Sequence, residues 1–251
     1  QNDISKEIIN SKKPLIILGE SFFMSKSSNF VFNLIKKYLT ENNKISEQWN
    51  PLNRISTDAS TVGSFDLNIL SDNNNIFDDL NNHCFDVVYL LGQDSLNFKK
   101  ENEFIIYQGS HGDKGAEIAD IILPGAAYTE QSGHYTNLEG KLQKAYKASY
   151  PPGDAKEDWQ IINNLAEFIN NRKLFNDKSE LNSSMLNYIN IKKENNKLPI
   201  FISHSEENIQ NEKLEIKIKD YYFSNVIARA SKTMLECHNS KLNIKLTGTD
   251  G

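Results

Sequence analysis

The sequence predicts an α/β fold, a parallel sheet with flanking helices, and three observations carry that expectation. Four compact apolar runs, PLIILG, DVVYLLG, EFIIYQG and DIILPG, have the length of strands and lack the alternation of a half-exposed sheet. Helical spacing intervenes, most clearly at Phe30, Val31, Leu34, Ile35, Tyr38 and Leu39. Finally, 251 residues with 38% hydrophobic content suffice for one large α/β domain, or for one domain with a smaller appendage.

Taken in order, KKPLIILGE predicts a buried strand ending at Gly19, and the periodic helix after it opens a βαβ unit with Ser28 or Asn29 as N-cap. NPLNRISTDASTV predicts a helix with Pro51 in its first turn and Leu52, Ile55, Ala59 and Val62 on one face. SDNNNIFDDLNNH is expected to be a loop carrying one helical turn. Three buried strands follow, at DVVYLLG, EFIIYQG and DIILPG, interrupted by helices that cover both faces of their sheet. PPGDAKEDWQIINNLAEFI predicts a helix with Asp154 and Glu157 as a capping box and a buried stripe of Trp159, Ile162, Leu165, Phe168 and Ile169. Beyond it come a helix around Leu181–Ile189, an edge strand at KLEIKIK, and one amphipathic helix at SNVIARASKTMLEC with Val226, Ile227, Ala230, Met234 and Cys237 inward. The change of texture places an α/β domain at 1–172 and a C-terminal extension at 173–251.

Composition removes several classes of function. A net charge of −5 supplies no basic field for nucleic acid. No apolar run approaches the roughly 20 residues that span a bilayer. Cys84 and Cys237 are the only cysteines, too few for an iron–sulfur cluster or a structural zinc, and they are expected to be buried free thiols. QNDISKEIIN is neither a secretory signal nor an Arg-rich transit peptide.

The densest polar stretch is YQGSHGDKGAEIADIILPGAAYTEQSGHYTNLEGKLQ, from Tyr107 to Gln143. Gly109, Gly112 and Gly115 follow a Gly-x-x-Gly-x-x-Gly spacing, and the next strand begins too soon for the helix that a dinucleotide cradle requires. His111, Asp113, Glu117, Asp120 and His134 are candidate metal ligands, yet no pair is spaced to fix two ligands on one face. Ser110 and His111 are sequence neighbours, which does not specify a nucleophile and its base. Structural roles are therefore expected for both histidines, with YTNLEGKLQ forming a hairpin around Glu139–Gly140.

FIIYQGSHGDKGAEIADIILPGAAYTEQSGHYTNLEGKLQKA followed by PPGDAKEDWQII resembles the C-terminal half of the large iron–sulfur subunit of respiratory complex I, NADH:ubiquinone oxidoreductase. KKPLIILGES and DVVYLLGQD fit the same family in order. IKIKDYYFSNVIARASKTMLEC looks like the tail of its mitochondrial and α-proteobacterial versions. The resemblance runs from about Lys12 to Cys237 and implies a Rossmann-like parallel sheet with flanking helices, related to molybdopterin oxidoreductase domains. It makes Gly109, Gly112, Gly115 and Gly125 turn residues in a scaffold inherited from an enzyme.

Implied function is that of a non-catalytic structural part of the complex I peripheral arm, on the matrix side of the mitochondrial inner membrane. Catalytic, cofactor-binding and metal-ligating residues are expected to be none. FMN and iron–sulfur clusters are expected in partner chains, the cluster-bearing half of the subunit and its peripheral-arm neighbours, with membrane association only through the complex. The family's N-terminal cysteine clusters are absent, which makes the chain a truncated portion or one half of a split subunit. The competing expectations are a molybdopterin-binding oxidoreductase and a small-ligand α/β binding module.

Overall fold

The computed structural model describes residues 3–23, 25–46, 48–69, 76–96, 98–195 and 220–243. Its first elements are α1 (Asp3–Asn10), β1 (Ile16–Leu18), α2 (Glu20–Phe23), α3 (Ser28–Glu41), β2 (Leu52–Arg54), α4 (Thr61–Asp66) and α5 (Ile76–Asn81). Then come β3 (Val87–Leu91), β4 (Phe104–Gly109), α6 (Lys114–Glu117), β5 (Ile121–Pro124), β6 (Gly133–Thr136) and β7 (Leu142–Ala145). The remaining helices are α7 (Asp158–Asn170), α8 (Lys178–Asn195), a 3₁₀ turn at Tyr221–Phe223, α9 (Val226–Ala230) and α10 (Lys232–Asn243). The α/β class is as the sequence predicts. KLEIKIK lies outside the described residues.

Two compact units divide the chain. One comprises Gln1–Ile69, Tyr135–Gln143 and Asn182–Lys217. In it β1 and β2 pair in parallel, Ile16 with Leu52 and Leu18 with Arg54, across the α3 crossover. Pro51, expected in a helix, instead precedes a strand. It has no N–H to give, and its carbonyl accepts from Ile16 N–H at 2.7 Å, so it starts the ladder where proline is tolerated. The helix begins only at Thr61. The first run is less buried than expected: Leu15 and Ile17 are exposed, because a two-stranded sheet covers little beyond Leu18. Ser27, not Ser28 or Asn29, occupies the N-cap of α3, and Leu39 is that helix's fully buried anchor.

The other unit comprises Leu70–His134, Lys144–Leu181 and Ile218–Gly251. Its sheet runs β3-β4-β5, all parallel, with β4 central. One face carries Val88, Leu90, Ile105 and Tyr107, packed against Leu80, Phe98, Ala116 and Ile118. The opposite face is not fully covered, contrary to expectation: Val87 is 57% exposed and Phe104 43%. The reason is topological: Leu96 and Phe98 of the β3–β4 crossover and Ala116 and Ile118 of the β4–β5 crossover all pack on the first face.

The capping box of α7 differs from the expected one. Glu157 is its N-cap and Gln160, rather than Asp154, completes the box. Ile161 and Asn163 are buried, and Phe168 and Ile169 are exposed, so the expected stripe is displaced. Asn163 fixes the rotation, since Oδ1 accepts from Leu174 and Phe175 N–H and Nδ2 donates to the Phe175 carbonyl. The β6–β7 hairpin forms as predicted, with Gly140 at φ +77° and Asn137 Oδ1 accepting from Glu139 and Lys141 N–H. The single C-terminal helix is in fact two, broken at Ser231 by an extended residue (ψ 124°), and Ala230 and Met234 are exposed rather than inward.

Candidate functional site at the carboxyl edge of the sheet

Ligands in open α/β sheets lie beyond the carboxyl ends of the strands. Here β4 ends at Gly109 and β5 at Pro124, and a cavity of about 480 Å³ opens beyond them. Its lining includes Ser110, His111, Gly125, Glu130 and Asp154. The packing at this edge explains two glycines. A Cβ on Gly109 would run into the Tyr107 ring, and one on Gly115 would stand 2.7 Å from the Gln93 carbonyl. Around Gly112 there is open space, so nothing in the packing requires glycine there. Tyr107 itself is held by donating its hydroxyl to the His111 carbonyl at 2.8 Å.

A closed polar lock sits beside the cavity. Gln108 is fully buried, and its Nε2 donates to Asp158 Oδ1 at 2.8 Å while its Oε1 accepts from the Tyr89 hydroxyl. Gln131 Nε2 donates to the other Asp158 oxygen at 2.7 Å, and Gln131 Oε1 accepts from Asp158 N–H. Both carboxylate oxygens at the head of α7 are thus used to pin that helix to β4 and to the loop after β5. Burial, and then the Asp158 charge, push the Tyr89 hydroxyl upward.

The strongest ionic feature closes the edge from the C-terminal segment. Arg229 of α9 places Nε 2.6 Å from Asp113 Oδ2 and Nη2 2.6 Å from Asp94 Oδ1, and Nη1 donates to the Phe223 carbonyl at 3.4 Å. Asp94 follows β3 and Asp113 caps α6, so one guanidinium bridges the ends of two neighbouring strands. Burial works to raise the Asp113 carboxyl. The hydrogen bond and charge of Arg229 and the Lys114 N–H outweigh it and hold that carboxyl below the usual range. The Tyr107 hydroxyl beneath is pushed up by burial and by Asp94 and Asp113, against the opposing charge of Arg229.

The five candidate ligands do not converge. Asp113 is committed to Arg229, and Asp120 lies at the opposite, amino edge, accepting from Ile105 N–H at 2.8 Å and pairing with Lys100. Glu117 is exposed on α6. The His111 ring lies 2.9 Å from Ser110 Oγ. His134 belongs to β6, where burial first, then Lys144 and Lys178, lower its pKa. Among the described residues, no group of three or more His, Cys, Asp and Glu side chains could hold a metal ion. Both thiols are free, but Cys84 is exposed rather than buried, at the turn after α5, and Cys237 is half-buried.

Residues 1–168 match the family model described as molybdopterin oxidoreductase. The chain belongs to that family. Residues 203–237 match a second model, for the C-terminal part of an NADH-ubiquinone oxidoreductase subunit. The mitochondrial NADH-ubiquinone oxidoreductase 78 kDa subunit of Candida albicans is 34% identical, over 94% of this chain and 34% of its own length. The NADH-ubiquinone oxidoreductase 75 kDa subunit of Reclinomonas americana is 36% identical, over 95% and 36% respectively. An NADH-quinone oxidoreductase subunit of Rickettsia bellii is 35% identical, over 99% and 36%. The chain therefore spans about a third of the length of the curated relatives it matches.

Membership in a molybdopterin oxidoreductase family raises the question of the pterin cofactor, whose phosphate wants backbone N–H groups and free cations. This edge offers the reverse. Glu130 and Asp154 line the cavity without a lysine or arginine, and Arg229 is already neutralised by two aspartates. The residues present do not fit that group. Sequence reading missed Gln108, Asp158 and Arg229; the only local sign was a glutamine inside the apolar run FIIYQG.

Proposed function

We propose that this chain is a structural, non-catalytic part of the large iron–sulfur subunit of respiratory complex I, supporting NADH-to-ubiquinone electron transfer from the peripheral arm. The observation that carries the reading is similarity, over 94–99% of the chain, to subunits of NADH-ubiquinone and NADH-quinone oxidoreductases. The carboxyl edge supports it: this chain ties its strands together there with Arg229 and the Gln108–Asp158 lock. In this reading no cofactor belongs to the chain. FMN and the iron–sulfur clusters belong to partner chains, namely the cluster-bearing half and other peripheral-arm subunits. Its place is the matrix side of the mitochondrial inner membrane, reached through the complex. Among the described residues no helix is long and apolar enough to cross a membrane.

Elemental and pterin analysis of the purified 251-residue chain tests the proposal. Less than a stoichiometric amount of iron, molybdenum and zinc is expected. A reproducible equivalent of molybdenum with pterin would overturn it in favour of a molybdopterin-binding oxidoreductase.

A further inference from the structure

The sequence contains three arginines, and Arg54 and Arg229 stand in opposite circumstances. Arg229 meets two carboxylates. Arg54 forms no ion pair among the described residues, and its guanidinium lies over the Phe23 ring, 4.3 Å from the centroid, with the Phe65 ring at 5.9 Å. We propose that the cavity against β1 and β2 binds a small planar aromatic anion, with Arg54 as the anion-recognising residue. This inference is independent of the function proposed above.

Leu18 and Arg54 are the last residues of two parallel strands and stand opposite one another, and the cavity runs from them along β2 to Asn50. The walls are apolar: Leu18, Leu52, Phe23 and Phe32 enclose about 200 Å³. The Phe23 and Phe32 rings are tilted at 53°, with centroids 6.2 Å apart. Such a volume is below that of a drug-sized site and suits a single ring. An arginine lying over a phenylalanine ring is held by a contact that uses none of its N–H donors, so these remain available for a carboxylate. Asn50 and Asn53 also line the cavity, with Asn50 Oδ1 accepting from Leu52 N–H and Asn53 Nδ2 donating to the Asn50 carbonyl. Glu20, the acidic residue of α2, is already engaged by the Thr57 hydroxyl. Arg54 is exposed, so a neutral aromatic would fill the walls and leave its N–H edge to water, whereas a bare anion would meet the cation and leave the walls wet. The combination selects a ring that carries the charge.

Methyl-detected NMR titration of the 251-residue chain tests this, with benzoate as probe and benzamide and acetate as controls. Benzoate is expected to shift the Leu18 and Leu52 methyls saturably, and benzamide and acetate to bind at least tenfold more weakly. Arg54→Gln should weaken benzoate tenfold or more, about 1.4 kcal/mol. Arg54→Lys keeps the charge and loses the fork, so an intermediate loss is expected, and it stands in should the glutamine variant not fold. The proposal is overturned if benzoate leaves both methyls unmoved, if benzamide or acetate binds as well as benzoate, or if neither Arg54 variant weakens it.

Discussion

Arg229 shows how much one side chain can organise. Its side chain and those of Asp94 and Asp113 are each less than a quarter exposed, so each hydrogen bond is charge-assisted and partly shielded from water. Replacing it by alanine would leave two aspartates facing one another without a cation. Arg229→Ala should therefore cost about 2–3 kcal/mol in urea unfolding, and Arg229→Lys should recover only part, because an ammonium cannot span both carboxylates as a fork. Equal stability of Arg229→Ala and the parent would remove the edge-closing role. Glu103 is a second case. Glu101 N–H, its own N–H and His83 bring its carboxyl down to about 2. A carboxyl lower in the folded than in the unfolded chain stabilises fully above the ordinary glutamate range, and that contribution fades as pH falls toward about 2. Glu103→Gln should flatten the acid limb of stability in that window and nowhere above it, measurable as unfolding midpoint against pH. The histidines are different. His111 serves through its backbone carbonyl, which alanine retains, and His134 sits on a hairpin strand. In the function proposed above, both alanine variants are expected to keep turnover per assembled complex near normal, where loss of a catalytic acid or base would cost on the order of 10²–10⁴-fold.

At the level of elements, what sequence could disclose depended on range. The strands β1, β3, β4 and β5 are visible because each is an unbroken apolar run, and the β6–β7 hairpin because Asn137 and Gly140 make its turn locally. β2 was hidden: Pro51 suits a first helical turn as well as a strand start, and the choice is made by a ladder to β1, roughly 35 residues upstream. The Arg229 bridges span 116 and 135 residues, and Gln108–Asp158 spans 50. No periodicity carries such pairings. The C-terminal helix pair illustrates the consequence. The sequence stripe suggests apolar docking, yet Met234 and Leu235 are exposed and the tether is ionic. Removing residues 224–251 should then cost at least what Arg229→Ala costs, and should speed amide exchange of Tyr107 and Gln108 at the end of β4. Unchanged exchange there would show that the segment does not hold the edge.

For the whole molecule, the exposed apolar side chains matter most. Phe168 is 86% exposed, Phe104 43% and Val87 57%, all within the unit that carries the three-stranded sheet. In the function proposed above, apolar side chains of this size are the surface that partner chains would cover. At the polar edge the charges of Arg229, Asp94 and Asp113 are spent on each other. The most direct measurement is to isolate the tagged chain from its own cells in mild detergent and run it on a native gel stained for NADH dehydrogenase activity. The account predicts that the chain migrates with a multi-subunit particle that reduces the dye with NADH. A chain that migrates alone, or with a particle that leaves NADH untouched, would contradict it.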